Sequence, residues 1–236
     1  MQKIIILAGG LGTRVQEKYR GIPKCLIPIA GKPFIIRQLE LLNKAGFREV
    51  IISLNHLGKM VFDYLKKENL DLKIKFIYDG KIQLGTGGAV KNIILKEELN
   101  QPFFIIYGDS YLPIKFSKLF RHVSNNNIRN LMCIYRNLSS EHKNNVVLGL
   151  KNKIDLYDKN ITKSTMKYID YGLNLIDPKL FLELYGNIKG KFDLSDFHHA
   201  VSLQGKLDAF EVTERFYEIG SYDGIKDLEN FFINSK

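Results

Sequence analysis

Two cysteines, Cys25 and Cys133, in 236 residues are too few for a disulfide framework. No apolar run approaches the ~20 residues of a membrane span. The opening MQKIIILAGG meets its glycines too soon to serve as a secretory signal. Together these absences point to a soluble protein of the reducing cytoplasm, with no membrane partner and both cysteines as small buried residues. No repeat, low-complexity tract or linker-like stretch interrupts the chain. The net charge is +10, but its 35 Lys and Arg are scattered and form no basic-aromatic cluster. That dispersal argues against a nucleic-acid module and reads as a generally basic surface; a field that draws in phosphorylated small molecules is the alternative. His198 and His199 are adjacent, about 100° apart on a helix, with no zinc spacing and no cysteine partner, so they are not read as metal ligands.

A chain that is 45% hydrophobic can bury a sizeable core. KIIIL (Lys3–Leu7) is an apolar run stopped by glycines, as in a parallel strand covered on both faces. KPFIIRQLELLNKAG reads as a helix, with Pro33 in its first turn, Ile35, Leu39 and Leu42 at helical spacing, and Gly46 as its stop. EVIISL, a short helix near 59–67, KIKFIY, a helix opening near Gly87, and FFIIYGD continue the alternation. The pattern predicts an α/β, Rossmann-like doubly wound sheet, whose ligands sit beyond the carboxyl ends of the strands. From Arg129 onward, short strand-like runs read as antiparallel or mixed additions to the sheet, with helices near 178–185, 194–203 and 224–232. We read a single domain, with a nucleotide-binding half over 1–128 and an acceptor half over 129–236.

LAGGLGTR (Leu7–Arg14) lies at the first of these strand ends. A dinucleotide fingerprint needs a third glycine, and position 15 is Val. A mononucleotide P-loop needs Gly-Lys followed by Ser or Thr, whereas Pro33 follows Gly31-Lys32. A turn of purely structural glycines is the remaining simple reading. However, Pro23-Lys24 follows Arg14 after a spacer of eight residues. A glycine loop offers a nest of N–H groups for phosphate oxygens, and the guanidinium and ammonium add charge from two further directions.

Strand, GGLGTR, spacer and Pro-Lys in this order resemble the opening signature of the sugar-1-phosphate nucleotidyltransferases, and the likeness extends along nearly the whole chain. The resemblance implies a nucleotide-diphospho-sugar transferase fold of the GT-A-like kind. It implies that Leu7, Ala8, Gly9, Gly10, Gly12 and Thr13 hold a nucleoside triphosphate, that Arg14 faces the leaving pyrophosphate, and that Lys24 binds phosphate at the reacting centre. LGTGGA is similar to the family's second glycine loop, making Gln83, Gly85 and Thr86 base or ribose contacts, with Asn55 at a neighbouring strand end. YGDS resembles the family's strand-end Gly-Asp, so Gly108 would adjoin the nucleotide and Asp109 would ligate Mg²⁺. LYDKN stands where the family has Glu-Lys-Pro; Asp158, one methylene shorter than Glu, would accept sugar hydroxyls, and Lys159 would bind the sugar phosphate. YIDYGLNLID would place Gly172 and Asn174 near the sugar. FYEIG resembles the family's Asp-Ile-Gly, with Glu218 in the place of a second metal-ligating Asp.

The implied partners are a nucleoside triphosphate and a sugar 1-phosphate, with a homodimer as the default assembly. A sugar 1-phosphate has a second pKa of about 6 and is its own nucleophile, which fits the absence of a catalytic His or Ser from the signature. Among members with no acyltransferase repeat or long tail, YIDYGLNLID and EIGSYDG most resemble the D-glycero-D-manno-heptose 1-phosphate guanylyltransferases of bacterial surface-glycan synthesis, which use GTP. Mannose-1-phosphate guanylyltransferase and glucose-1-phosphate thymidylyl- or uridylyltransferase stay open, as does a non-catalytic sensor on the same fold.

Overall fold

The computed structural model describes residues 3–10, 15, 18–55, 57–80, 83–138 and 142–234. Strand β1 (Ile4–Leu7) is fully covered, as its unbroken apolar run requires. Two short strands, β2 (Pro28–Ile29) and β3 (Lys32–Pro33), pair antiparallel. Pro33 therefore precedes α1 (Phe34–Lys44) in extended backbone, one residue earlier than the first turn. Gly46, at φ +98°, follows the helix end. Then come β4 (Glu49–Leu54), α2 (Gly58–Leu65), β5 (Lys73–Tyr78), α3 (Gly85–Lys96) and β6 (Phe103–Tyr107). After β7 (Ser110–Tyr111) lies α4 (Phe116–Asn125), a helix absent from the expectations above. Strands β8 (Leu131–Arg136), β9 (Val146–Leu148), β10 (Ile154–Tyr157) and β11 (Tyr168–Ile176) follow. The chain closes through α5 (Pro178–Tyr185), α6 (Leu194–Leu203), β12 (Asp208–Val212), β13 (Tyr217–Glu218) and α7 (Tyr222–Asn234).

The chain is α/β with parallel and antiparallel strands, divided between two compact units. The first comprises 1–82, 106–113 and 216–236, and the second 83–105 and 114–215. The units interleave along the chain, and a boundary at residue 128 does not describe them.

In the first unit β1, β4 and β5 run parallel, Ile5 opposite Ile51 and Ile51 opposite Lys75. Strand β7 pairs antiparallel with β13, and α7 packs beside them. Val15, Ile27, Ile29, Phe34, Tyr111, Ile219, Ile225 and Leu228 form one apolar cluster there. It binds the closing helix to residues from the start of the chain, an arrangement no local signal announces.

In the second unit β10, β9, β11 and β8 are antiparallel neighbours, and β12 adds parallel to β8. The pairing of β11 with β8 shifts register between Asp170 and Asn174, where Gly172 takes φ +89°. No described helix is long and apolar enough to cross a membrane.

Candidate active site

The parallel strands of the first unit end together. Ala8 N–H donates to the Ser53 carbonyl at 3.1 Å, and Gly108 N–H donates to the Leu7 carbonyl at 3.0 Å. A Cβ on Gly108 would stand 2.8 Å from Ala8 Cα, so only glycine permits this approach. A Cβ on Gly9 would meet Asn55 Cβ at 3.2 Å. Leu7, Ala8, Gly9, Asn55 and Gly108 are thus neighbours at one strand edge, with Gly10 continuing the chain. Gly12, Thr13 and Arg14 lie outside the described residues.

Beyond that edge, Pro23 leads into a single 3₁₀ turn at Lys24–Leu26. The Lys24 ammonium lies 2.6 Å from Asp109 Oδ2. Both side chains are mostly shielded, with 13% and 33% exposure, so the attraction is screened less than in a surface pair. Next to Lys24, burial pushes the Cys25 thiol up to about 12, keeping it protonated and inert. Burial likewise raises Cys133. Both cysteines are small buried residues, as read from the sequence.

Glu218 reaches this place through β13. It sits opposite Ser110 in the β13–β7 pair, while Ile219 N–H donates to the Asp109 carbonyl at 3.0 Å. Two carboxylate residues are therefore carried on directly bonded backbone segments. Hard oxygen donors in this number suit Mg²⁺, which takes one or two protein carboxylates and completes its shell with phosphates and water. The described residues hold no group of three His, Cys, Asp or Glu fit for a metal, so a fully protein-built cage is absent among them.

In the second unit, Gln83 is exposed just ahead of the LGTGG loop. Gly85 has φ +74° and a Cβ there would lie 2.3 Å from the Phe192 carbonyl oxygen. On Gly87 it would strike the Phe192 ring at 2.5 Å. Thr86 Oγ1 accepts the Leu194 N–H at 2.8 Å and so helps to start α6. These glycines have a packing reason to be glycine, independent of any ligand.

Asp158 Oδ1 accepts the N–H groups of Asn160 and Ile161 at 2.8 and 3.2 Å, fixing the turn after β10. Lys159 lies 3.4 Å from Asp193 Oδ2, with both side chains about half exposed. Gly172 N–H donates to Asp170 Oδ1 at 2.8 Å, and Asn174 Nδ2 does so at 3.4 Å. Asn145 links the two groups: its carbonyl accepts Asp158 N–H and its side-chain oxygen accepts Asp170 N–H, each at 2.9 Å. Sequence reading missed Asn145 and Asp170, since single polar residues in a turn and a strand carry no spacing signal.

His198 is buried against the Tyr157 and Phe197 rings, with no hydrogen-bond partner for either ring nitrogen among the described residues. Burial lowers its pKa from 6.5 to about 3. The unfolded chain therefore binds a proton that the folded chain refuses, and stability falls as pH drops below 6.5. The expected loss between pH 7 and pH 5 is about 2 kcal/mol. Denaturant melts at the two pH values measure it, and His198→Phe should remove most of this pH dependence; an unchanged dependence would contradict the assignment.

Comparison with known proteins places the chain. The family model of the MobA-like NTP transferase domain matches residues 4–139, more than half of the chain. The chain belongs to this family. That match spans the glycine strand end, Lys24 and Asp109 of the NTP transferase domain. A D-glycero-α-D-manno-heptose 1-phosphate guanylyltransferase of Campylobacter jejuni is 42% identical over 115 residues, covering 49% of this chain and 51% of the relative. A mannose-1-phosphate guanyltransferase of Candida glabrata is 27% identical over 75% of this chain and 50% of its own length. The chain thus spans about half the length of the curated relatives it matches. Among solved structures, HddC from Yersinia pseudotuberculosis superposes with a TM-score of 0.82 at 26% identity, covering 98% of this chain and 100% of that one. HddC is also known complexed with GMP-PN, at a TM-score of 0.79 and 25% identity over the same shares.

Proposed function

We propose that this NTP transferase transfers a nucleotidyl group from a nucleoside triphosphate to a sugar 1-phosphate and releases pyrophosphate. The observation that carries the reading is the Lys24–Asp109 contact at 2.6 Å, with Glu218 held on the paired strand. We further assign GTP and D-glycero-D-manno-heptose 1-phosphate as its substrates, and Mg²⁺ as its cofactor. Support comes from the likeness to the Campylobacter heptose 1-phosphate guanylyltransferase and to Yersinia HddC complexed with GMP-PN.

The sugar phosphate supplies the attacking oxygen, so no protein base is required. The obstacle is charge: like unit charges at 4 Å repel by roughly 4 kcal/mol at an effective dielectric of 20. Lys24 offsets this by leaving Asp109 for phosphate, while the NH-rich glycine strand end orients the triphosphate. Lys159 and Asp158 would hold the acceptor's phosphate and hydroxyls. Mg²⁺, held by Asp109 with Glu218, would neutralise charge on the transferring phosphate when bound.

Pyrophosphate release, measured over a grid of nucleoside triphosphates and sugar 1-phosphates with and without Mg²⁺, tests the assignment. The expected signal is strongest with GTP and the heptose phosphate. A stronger signal with mannose or glucose 1-phosphate would correct the substrate, and silence across the grid would overturn the enzyme reading in favour of a sensor.

A further inference from the structure

Gln38 is the one polar residue among those buried on α1, in line with Phe34 and Leu42 one turn to either side. It is fully buried, and its Nε2 donates to the Tyr107 and Ser110 carbonyls, each at 2.8 Å. Those two carbonyls flank Gly108-Asp109. One of the two carbonyls between them, that of Asp109, accepts Ile219 N–H from the segment that carries Glu218. Three carbonyls around the turn are thereby held from two sides, by α1 and by β13.

We infer that Gln38 is a positioning residue for the reaction: it fixes the turn that presents Asp109 and, through the Ile219 bond, aligns Glu218 for a divalent cation. This inference rests on the reading of Asp109 as a metal ligand. The amide can act in only one orientation. Turned over, its oxygen would face two carbonyl oxygens, and a carboxylate at this position would meet the same opposition. An apolar side chain of equal length would fill the space and leave the two carbonyls without this donor. Packing alone favours such a residue on this face; the buried Oε1 has no hydrogen-bond partner among the described residues, so what the amide contributes is the two Nε2 bonds.

The test uses the full chain with Gln38→Met and Gln38→Glu, and Leu42→Val as a control that loosens the same helix face. Mn²⁺ affinity is read by electron paramagnetic resonance of the free ion, in the presence of a non-hydrolysable GTP analogue. Hydrogen exchange reports the Ile219 amide, and steady-state kinetics separate kcat from KM. Both Gln38 variants should weaken Mn²⁺ binding by about 10–100-fold, the range seen when a residue behind a metal ligand is lost. They should speed exchange at Ile219 and lower kcat, with the nucleotide KM little changed. Leu42→Val should lower the melting temperature without moving Mn²⁺ affinity. Wild-type Mn²⁺ affinity or unchanged Ile219 exchange in folded Gln38 variants would reduce Gln38 to a packing role. If the wild-type protein itself binds no Mn²⁺, the metal assignment of Asp109 fails, and the inference with it.

Discussion

Asp109→Asn should lower turnover by about a thousandfold while leaving the fold intact. The replacement keeps the shape of the side chain and removes the charge that pairs with Lys24 and that, on the proposed reading, holds a divalent cation. A loss of about 4 kcal/mol of charge stabilisation at the reacting phosphate corresponds to that factor. The stability change should be modest, about 1–3 kcal/mol, since the shielded Lys24 ammonium loses a charged partner but keeps the Asn oxygen as an acceptor. Pyrophosphate release at saturating substrates, beside a thermal melt, separates the two effects. Near wild-type turnover in a folded Asp109→Asn protein would remove Asp109 from the centre of the mechanism.

The second large effect concerns stability. Gly85→Ala places a methyl 2.3 Å from the Phe192 carbonyl oxygen, at a φ of +74° that L residues seldom adopt. The obstacle is backbone and cannot rotate aside. The loop that starts α3 and the segment that starts α6 must then separate, along with the Phe192 N–H bond to the Leu84 carbonyl and the Leu194 N–H bond to Thr86. A cost of at least about 3 kcal/mol is expected, lowering the melting temperature by about 6–12 °C in a chain of this size. An unchanged melt would mean that the loop packs otherwise than described.

Strands β1, β4, β5 and β6 were legible because each is a largely apolar run closed by glycine or a polar residue, and they lie where those runs lie. Helices α5 and α6 were legible through Pro178 and through the acidic caps Asp177 and Asp193. Helix α4 was not, although Phe116, Leu119, Phe120 and Val123 repeat at helical spacing; its start at Lys115 has no side-chain cap to mark it. The two-residue strands β7 and β13 exist only through each other, and nothing local predicts a pairing across a hundred residues. For the same reason the sequence suggested Asp109 and Glu218 by resemblance but not their alignment. Gln38 had a visible mark, a polar residue amid the apolar stripe of α1, which the search for charged and glycine motifs passed over.

The path of the chain through the first unit also has a temporal meaning. During translation Lys24 and Asp109 emerge well before β13, the strand that β7 pairs with. Glu218, Ile219 and the apolar residues of α7 follow more than a hundred codons later. Until they emerge, the Asp109 carbonyl has no Ile219 amide to hold it and the cluster around Phe34 and Tyr111 is short of Ile225 and Leu228. Under the proposed reading, a nascent chain stalled before residue 216 would lack its second carboxylate and stay inactive until β13 and α7 had been made.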